Sequence, residues 1–251
     1  MKKVTLLCGL LLAMSASIAS AGPGVGLRWN ACLSDGGAIN KAFACNSNTG
    51  TNLIVGTFEL GVDLASTSGN EVVIDLASAS SPLPAWWQFK NVGTCRTTAL
   101  NMSFSNPTAT NCVDWAAGQA SGGIGAYNIG ARGANTARLV AAIAVPPALL
   151  ADLVAATEYY SFSIAITNVK TVGTGACAGC LDPVCIVFNS INLTTPVLAN
   201  NIKLIGSSNG TDSNYCTWQG GAGVVTGGGS GCPAATPTRS ATWGQVKALY
   251  H

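Results

Sequence analysis

The chain has 251 residues, of which 48% are hydrophobic and 9% charged, and a formal net charge of +2. So weak a charge leaves no electrostatic footprint for nucleic acid or anionic lipid. Its one histidine is the last residue, His251, which removes most imidazole-based catalysis.

Met1-Lys2-Lys3 is a short basic start, Val4 to Met14 is apolar, and Ala19-Ser20-Ala21 fits a small-x-small cleavage site. Residues 1–21 therefore read as an export signal, with the mature chain starting at Gly22. Cys8 lies inside the apolar stretch behind Leu7, so it does not read as a lipidation site. Losing Lys2 and Lys3 leaves ten basic and ten acidic side chains, and a neutral chain has little to oppose self-association. No later apolar run approaches the roughly 20 residues of a membrane-spanning helix.

Short apolar or alternating runs then follow one another. Strands are expected at 53–60, 71–78, 85–91, 99–104, 137–145, 159–168, 184–193 and 201–205, separated by Gly, Asn, Ser and Pro clusters. Tyr160, Phe162, Ile164 and Ile166 alternate with Ser161, Ser163, Ala165 and Thr167, so one face should be core. Val72, Ile74 and Leu76 alternate in the same way with Glu71, Val73 and Asp75. The Gly/Ala-rich stretches 116–133 and 220–231 read as long loops or irregular strands. Pro147–Ala155 reads as a short helix with proline in its first turn. Thr242-Trp243-Gly244-Gln245 has capping-box spacing and opens a tail helix whose face carries Trp243, Val246 and Tyr250.

The fold expected is mainly β: an antiparallel β-sandwich, Ig-like or jelly-roll, over 22–235, with a short C-terminal helix in 236–251. A faint repeat suggests two halves, 22–118 and 134–235. Asp63-Leu64 recurs as Asp152-Leu153, 89 residues on, and Ile74 matches Ile164 at an offset of 90.

Nine cysteines follow the leader, and an exported chain favours disulfides. Sequence neighbours suggest Cys32–Cys45, Cys95–Cys112 and Cys216–Cys232, with a fourth pair inside Cys177, Cys180 and Cys185, for which Cys180 and Cys185 are the candidates. An odd count leaves one thiol over. Cys177-Ala-Gly-Cys180-Leu-Asp-Pro-Val-Cys185 lacks a fourth zinc ligand nearby. As a redox motif it lacks the helix that would lower a thiol's pKa. No metal or cofactor is expected.

Other catalytic patterns fail on chemistry. Gly206-Ser207-Ser208-Asn209-Gly210 matches a nucleophile elbow by letter, without a base. Glu71 and Asp75 share one strand face about 13 Å apart, beyond the separation of glycosidase pairs. A cross-strand pair such as Glu59 with Glu71 would leave a carbohydrate-active enzyme open. The turn at 209–214 offers oxygen donors but too few carboxylates for calcium. The best binding candidate is Trp86, Trp87, Gln88 and Lys90. On a strand one tryptophan would be core and the other exposed, able to stack on a sugar ring or anchor a partner.

Thr242–Tyr250, Arg28-Trp29-Asn30-Ala31-Cys32 and Leu83-Pro84-Ala85-Trp86-Trp87-Gln88-Phe89-Lys90 resemble segments of a group of secreted proteins of Gram-negative bacteria without an assigned activity. The resemblance implies secretion to the periplasm, cell surface or beyond, and nothing catalytic. The function expected is a non-enzymatic binding or structural module contacting a glycan or cell-envelope component. A self-associating surface-layer or filament subunit is the alternative.

Overall fold

The computed structural model describes residues 22–106, 112–208 and 213–221. The leader 1–21, the turn 209–212 and the tail helix at 242–250 lie outside the described residues. In chain order the strands are β1 (Gly24–Trp29), β2 (Asn40–Lys41), β3 (Thr51–Glu59), β4 (Leu64–Thr67), β5 (Gly69–Ser78), β6 (Leu100–Ser103) and β7 (Val113–Asp114). They continue with β8 (Ser121–Ile129), β9 (Thr136–Ala144), β10 (Ala151–Leu153), β11 (Glu158–Thr167), β12 (Val184–Thr194), β13 (Ile202–Ile205) and β14 (Tyr215–Trp218). The only helical elements among the described residues are three-residue 3-10 turns at Ala85–Trp87, Pro147–Leu149 and Leu198–Asn200.

The protein is a β-sandwich. One sheet runs β1-β3-β11-β6, with β7 beside β11; the other runs β2-β14-β12-β5-β9-β8, with β13 beside β12; β10 and β4 form a small third ladder. The long strands pair antiparallel, and only the two-residue strands β2 and β7 pair in parallel. Between the sheets lies one core, which includes Ile54, Ile74, Leu139, Phe162, Ile164 and Phe188. Phe162 and Phe188 meet edge to face across it at 5.1 Å. A void of about 20 Å³ between the sheets, lined by residues that include Ile54, Ile74, Leu139 and Ile164, is too small for a ligand.

The pairing pattern has a two-fold internal correspondence. The order β1-β3-β11-β6 in one sheet matches β8-β9-β5-β12 in the other. In sequence, β1, β3, β4, β5 and β6 map onto β8, β9, β10, β11 and β12. The cross-strand row Trp29, Ile54, Ile164, Met102 matches the row Tyr127, Leu139, Ile74, Phe188. Leu64 pairs with Leu153 where the two repeats cross. Asp152 accepts from the Ser66 amide and Asp63 from the Ala155 amide, both at 2.8 Å. Each repeat supplies strands to both sheets, so the halves are interleaved and are not two separate sandwiches.

Three local expectations fail. Residues 85–91 are a 3-10 turn and loop, because Pro82 and Pro84 remove ladder donors and both tryptophans are drawn inward. Pro147–Ala155 is helical only at 147–149; Ala151–Leu153 pairs with β4 instead, an example of tertiary pairing overriding local propensity. Along β11 the register shifts between Tyr160 and Phe162. This bulge reverses the inward-outward alternation. Tyr159, Phe162, Ile164 and Ile166 join the main core, while Tyr160 packs with Cys32, Val55 and Cys112 on the sheet's other side. The Gly/Ala-rich stretch at 116–133 contains a nine-residue strand, β8.

Candidate functional site

The two ends of the sandwich differ. One end gathers Cys45, Cys95, Cys177 and Cys180 on the connections that precede β3, lead from β5 to β6 and lead from β11 to β12. Cys45 is bonded to Cys180 and Cys95 to Cys177; a third bond, Cys32–Cys112, joins the segment after β1 to the segment before β7. The expected pairs Cys32–Cys45 and Cys95–Cys112 are therefore replaced by links 80 to 135 residues apart in sequence. Folding brings segments distant in sequence together, and sequence proximity does not measure that distance. Cys177 and Cys180 each find partners on other connections, and Cys185 is also disulfide-bonded, so the expected pair within that trio does not form. Cys216 is a buried free thiol, which corrects its expected bond to Cys232. Burial raises the Cys216 pKa, partly offset by Arg28, so the group stays a neutral thiol.

The tryptophan candidate sits at this stapled end, inside it. Trp86 and Trp87 are both 0% exposed. Trp86 stacks on Trp218 at 5.2 Å, and Trp87 meets Trp218 edge-on at 5.5 Å. The Trp86 indole donates to Thr171 Oγ1 at 3.1 Å, and the Trp218 indole donates to the Cys180 carbonyl at 2.7 Å. Arg96, buried with them, lies 3.6 Å from the Trp86 ring centroid. It donates to the carbonyls of Trp86 and Thr167. Loss of water lowers its pKa to about 9, which still leaves it charged at neutral pH; ring face and carbonyls replace a counter-ion. Gln88 is half-buried and donates to the Leu83 carbonyl at 2.7 Å. Of the four residues only Lys90 is exposed. No sugar-stacking platform exists here, because both rings are used as an aromatic plug.

The carboxylates are likewise dispersed. Glu59 and Glu71 lie in different sheets. Asp75 is held by Arg138 at 2.7 Å and Arg132 at 3.3 Å. Glu59 instead stands opposite Glu158 across β3 and β11. Burial, and then the Glu158 charge, raise the Glu59 pKa. Both Glu158 oxygens accept backbone amides, from Leu33 and Ser34, at 2.9 Å, so that carboxylate is committed to holding a loop. Ser207 Oγ accepts from the Ser213 amide and bonds Asn214 Oδ1; no base reaches it among these contacts. The cluster of Cys32, Asp35 and Cys112 has the geometry of three ligands, but its two sulfurs are bonded to each other and so are poor metal donors.

The opposite end presents a surface that sequence reasoning missed. Three connections meet there: 60–68 around β4, 145–157 around β10, and 195–201 after β12. Backbone bonds tie them, from Ser68 N to Thr194 O at 2.8 Å, Val145 N to Ser68 O at 3.0 Å and Ala156 N to Leu60 O at 2.9 Å. Val62, Leu149, Val154, Val197 and Leu198 are exposed on these loops, Leu198 by 81%. The three segments contain no lysine or arginine, and their two aspartates, Asp63 and Asp152, accept loop amides. Pro146, Pro147 and Pro196 restrict the backbone. The stapled end also exposes Val92, Val169 and Leu181, but interspersed with Lys90 and Lys170. No run of sequence announces the aliphatic end, since it is assembled from three separate loops.

Fold and surface together define a disulfide-stapled β-sandwich with one closed end and one apolar loop end. No protein-family model and no curated protein matches the chain. Among solved structures, the C-terminal domain of the Streptococcus pyogenes antigen I/II-family protein AspA is similar over 78% of this chain, at 12% identity and a TM-score of 0.26. The match spans 46% of that chain.

Proposed function

We propose that the protein is an exported, non-enzymatic binding module that contacts a component of the cell envelope through its loop end. The observation that carries this reading is the set of five exposed aliphatic side chains on three adjoining loops, two of them braced by proline. Clustered exposed apolar groups favour a binding role over a bare surface. The lack of cationic side chains on these loops points to an uncharged protein or lipid-like surface and away from an anionic glycan. The disulfides fit an oxidising compartment, and no helix among the described residues is long and apolar enough to cross a membrane. The resemblance at 28–32 and 83–90 to secreted proteins supports export.

A pull-down of cell-envelope fractions with the mature chain tests the reading. Leu198→Asp should abolish capture while leaving stability within about 0.5 kcal/mol of the parent, as expected for an exposed site. Undiminished capture by Leu198→Asp combined with Val154→Asp would remove the loop end from the function. A hydrolase reading would instead use Glu59 and Glu158. Glu59 is 5% exposed and Glu158 is tied to two amides, so neither carboxylate is free to meet a sugar.

A further inference from the structure

The sheet edges are not equally protected. Beside β1, the Val25, Leu27 and Trp29 amides donate to the carbonyls of Gly206, Ser213 and Ala38. The edge strands β6 and β13 have four residues each, and β13 carries the exposed Lys203. In contrast, β8 has nine residues, ends its sheet, and pairs only with β9 among the described residues. Its Tyr127 carbonyl accepts from the Asn91 side chain at 3.0 Å. Among the described residues, Ser121–Ala126 make no hydrogen bond beyond the β9 ladder.

This stretch, Ser-Gly-Gly-Ile-Gly-Ala, has no charge and no proline. Natural edge strands are commonly guarded by one or the other, or kept short. The guard it does carry is a register shift at Gly125. Four of its residues, Ser121, Gly122, Gly123 and Gly125, are exposed, so no bulky side chain of theirs blocks an approaching backbone. We propose that β8 pairs antiparallel with β8 of a second copy, giving a closed two-fold dimer whose large sheets become continuous. A second copy fits because an uncharged edge meets itself without like-charge cost. The mature chain, with ten basic and ten acidic groups, adds no net repulsion. An isologous contact also closes after two copies. This interface is separate from the loop end, so each proposal can fail alone.

Gly122 and Gly123 make the test clean. A Cβ on Gly122 would lie 2.1 Å from the Ala142 carbonyl oxygen, whereas a Cβ on Gly123 would meet nothing within 4 Å. Gly123 can therefore be substituted without disturbing β9. Sedimentation equilibrium of the mature chain over a concentration series should show monomer and dimer. Gly123→Lys should raise the dimer dissociation constant by at least about fivefold, because two ammonium groups are brought close on the joined strands. Gly123→Ser, uncharged and small, should keep the dimer. Far-UV circular dichroism of each variant should match the parent. A monomer at all concentrations, an open-ended assembly, or a dimer unaffected by Gly123→Lys would overturn the proposal. A dimer lost on Leu198→Asp and kept in Gly123→Lys would also overturn it, by moving the contact to the loop end.

Discussion

At the residue scale, the aromatic plug turns a binding candidate into a stability element. Trp86 and Trp87 have no exposed surface, and their rings contact each other at 4.8 Å as well as Trp218. Trp87→Ala should destabilise the fold by about 3–5 kcal/mol, the usual loss for a large buried ring. Chemical denaturation checks this; a loss below about 1 kcal/mol would mean that the ring is not packed as described. Glu59 gives a pH signature. Its folded pKa is raised above the ordinary 4.5 by burial and by Glu158, so the native state holds its proton more tightly than the unfolded chain does. The stabilisation from this group is present at low pH and is lost as pH rises through the folded pKa. Glu59→Gln should therefore raise the melting temperature at neutral pH, with the gain shrinking below pH 4.5. Parallel melts of variant and parent across that range decide the matter, and a gain that grew in acid would contradict the assignment.

At the scale of elements, the long-range disulfides and one tight contact between paired strands matter most. Cys45–Cys180 spans 135 residues and Cys95–Cys177 spans 82. Closing such long loops restricts the unfolded chain, and each bond contributes about 2–4 kcal/mol. Non-reducing peptide mapping should recover these two links and Cys32–Cys112. The double substitution Cys95→Ser with Cys177→Ser should lower stability by about that amount and loosen the connection after β11. Gly56 in β3 lies against the ring of Phe162, where an added Cβ would come within 2.1 Å of the ring tip. Gly56→Ala must push Phe162 off Phe188, and overpacking of this kind costs about 1–3 kcal/mol. Thermal melts of Gly56→Ala against parent read that cost directly.

At the scale of the molecule, the interleaved repeat sets how the protein folds. β5 pairs with both β9 and β12, and β3 pairs with β11, so neither half completes a sheet alone. A fragment of residues 22–118 should show no cooperative unfolding transition, since its strands lack their partners. A stable, cooperatively melting fragment would show instead that the halves are autonomous. The same interleaving explains why the two ends can diverge. One end carries the staples and plug, while the other retains the crossing of β4 and β10 and leaves its aliphatic loops exposed.

Much of this architecture was legible in the sequence. Alternation marked β5, because a strand with one buried face must repeat every second residue, and short apolar or alternating runs between turn residues marked β9 and β12. The recurrence of Asp63-Leu64 as Asp152-Leu153 marked the point where the repeats cross. Both segments meet the same local demand, a leucine packed inward and an aspartate holding a partner loop's amide. The candidate site was not legible. Trp86 and Trp87 read as a strand with one exposed ring until Pro84 and the Trp218 stack turned both inward. The disulfide partners, the reversal of Tyr160 by the β11 bulge, the apolar loop end and the edge position of β8 among the described residues were decided by tertiary structure alone. Local pattern reports which side of an element seeks burial, within a few residues. Which distant loops meet, and which strand ends a sheet, depends on how the whole chain closes.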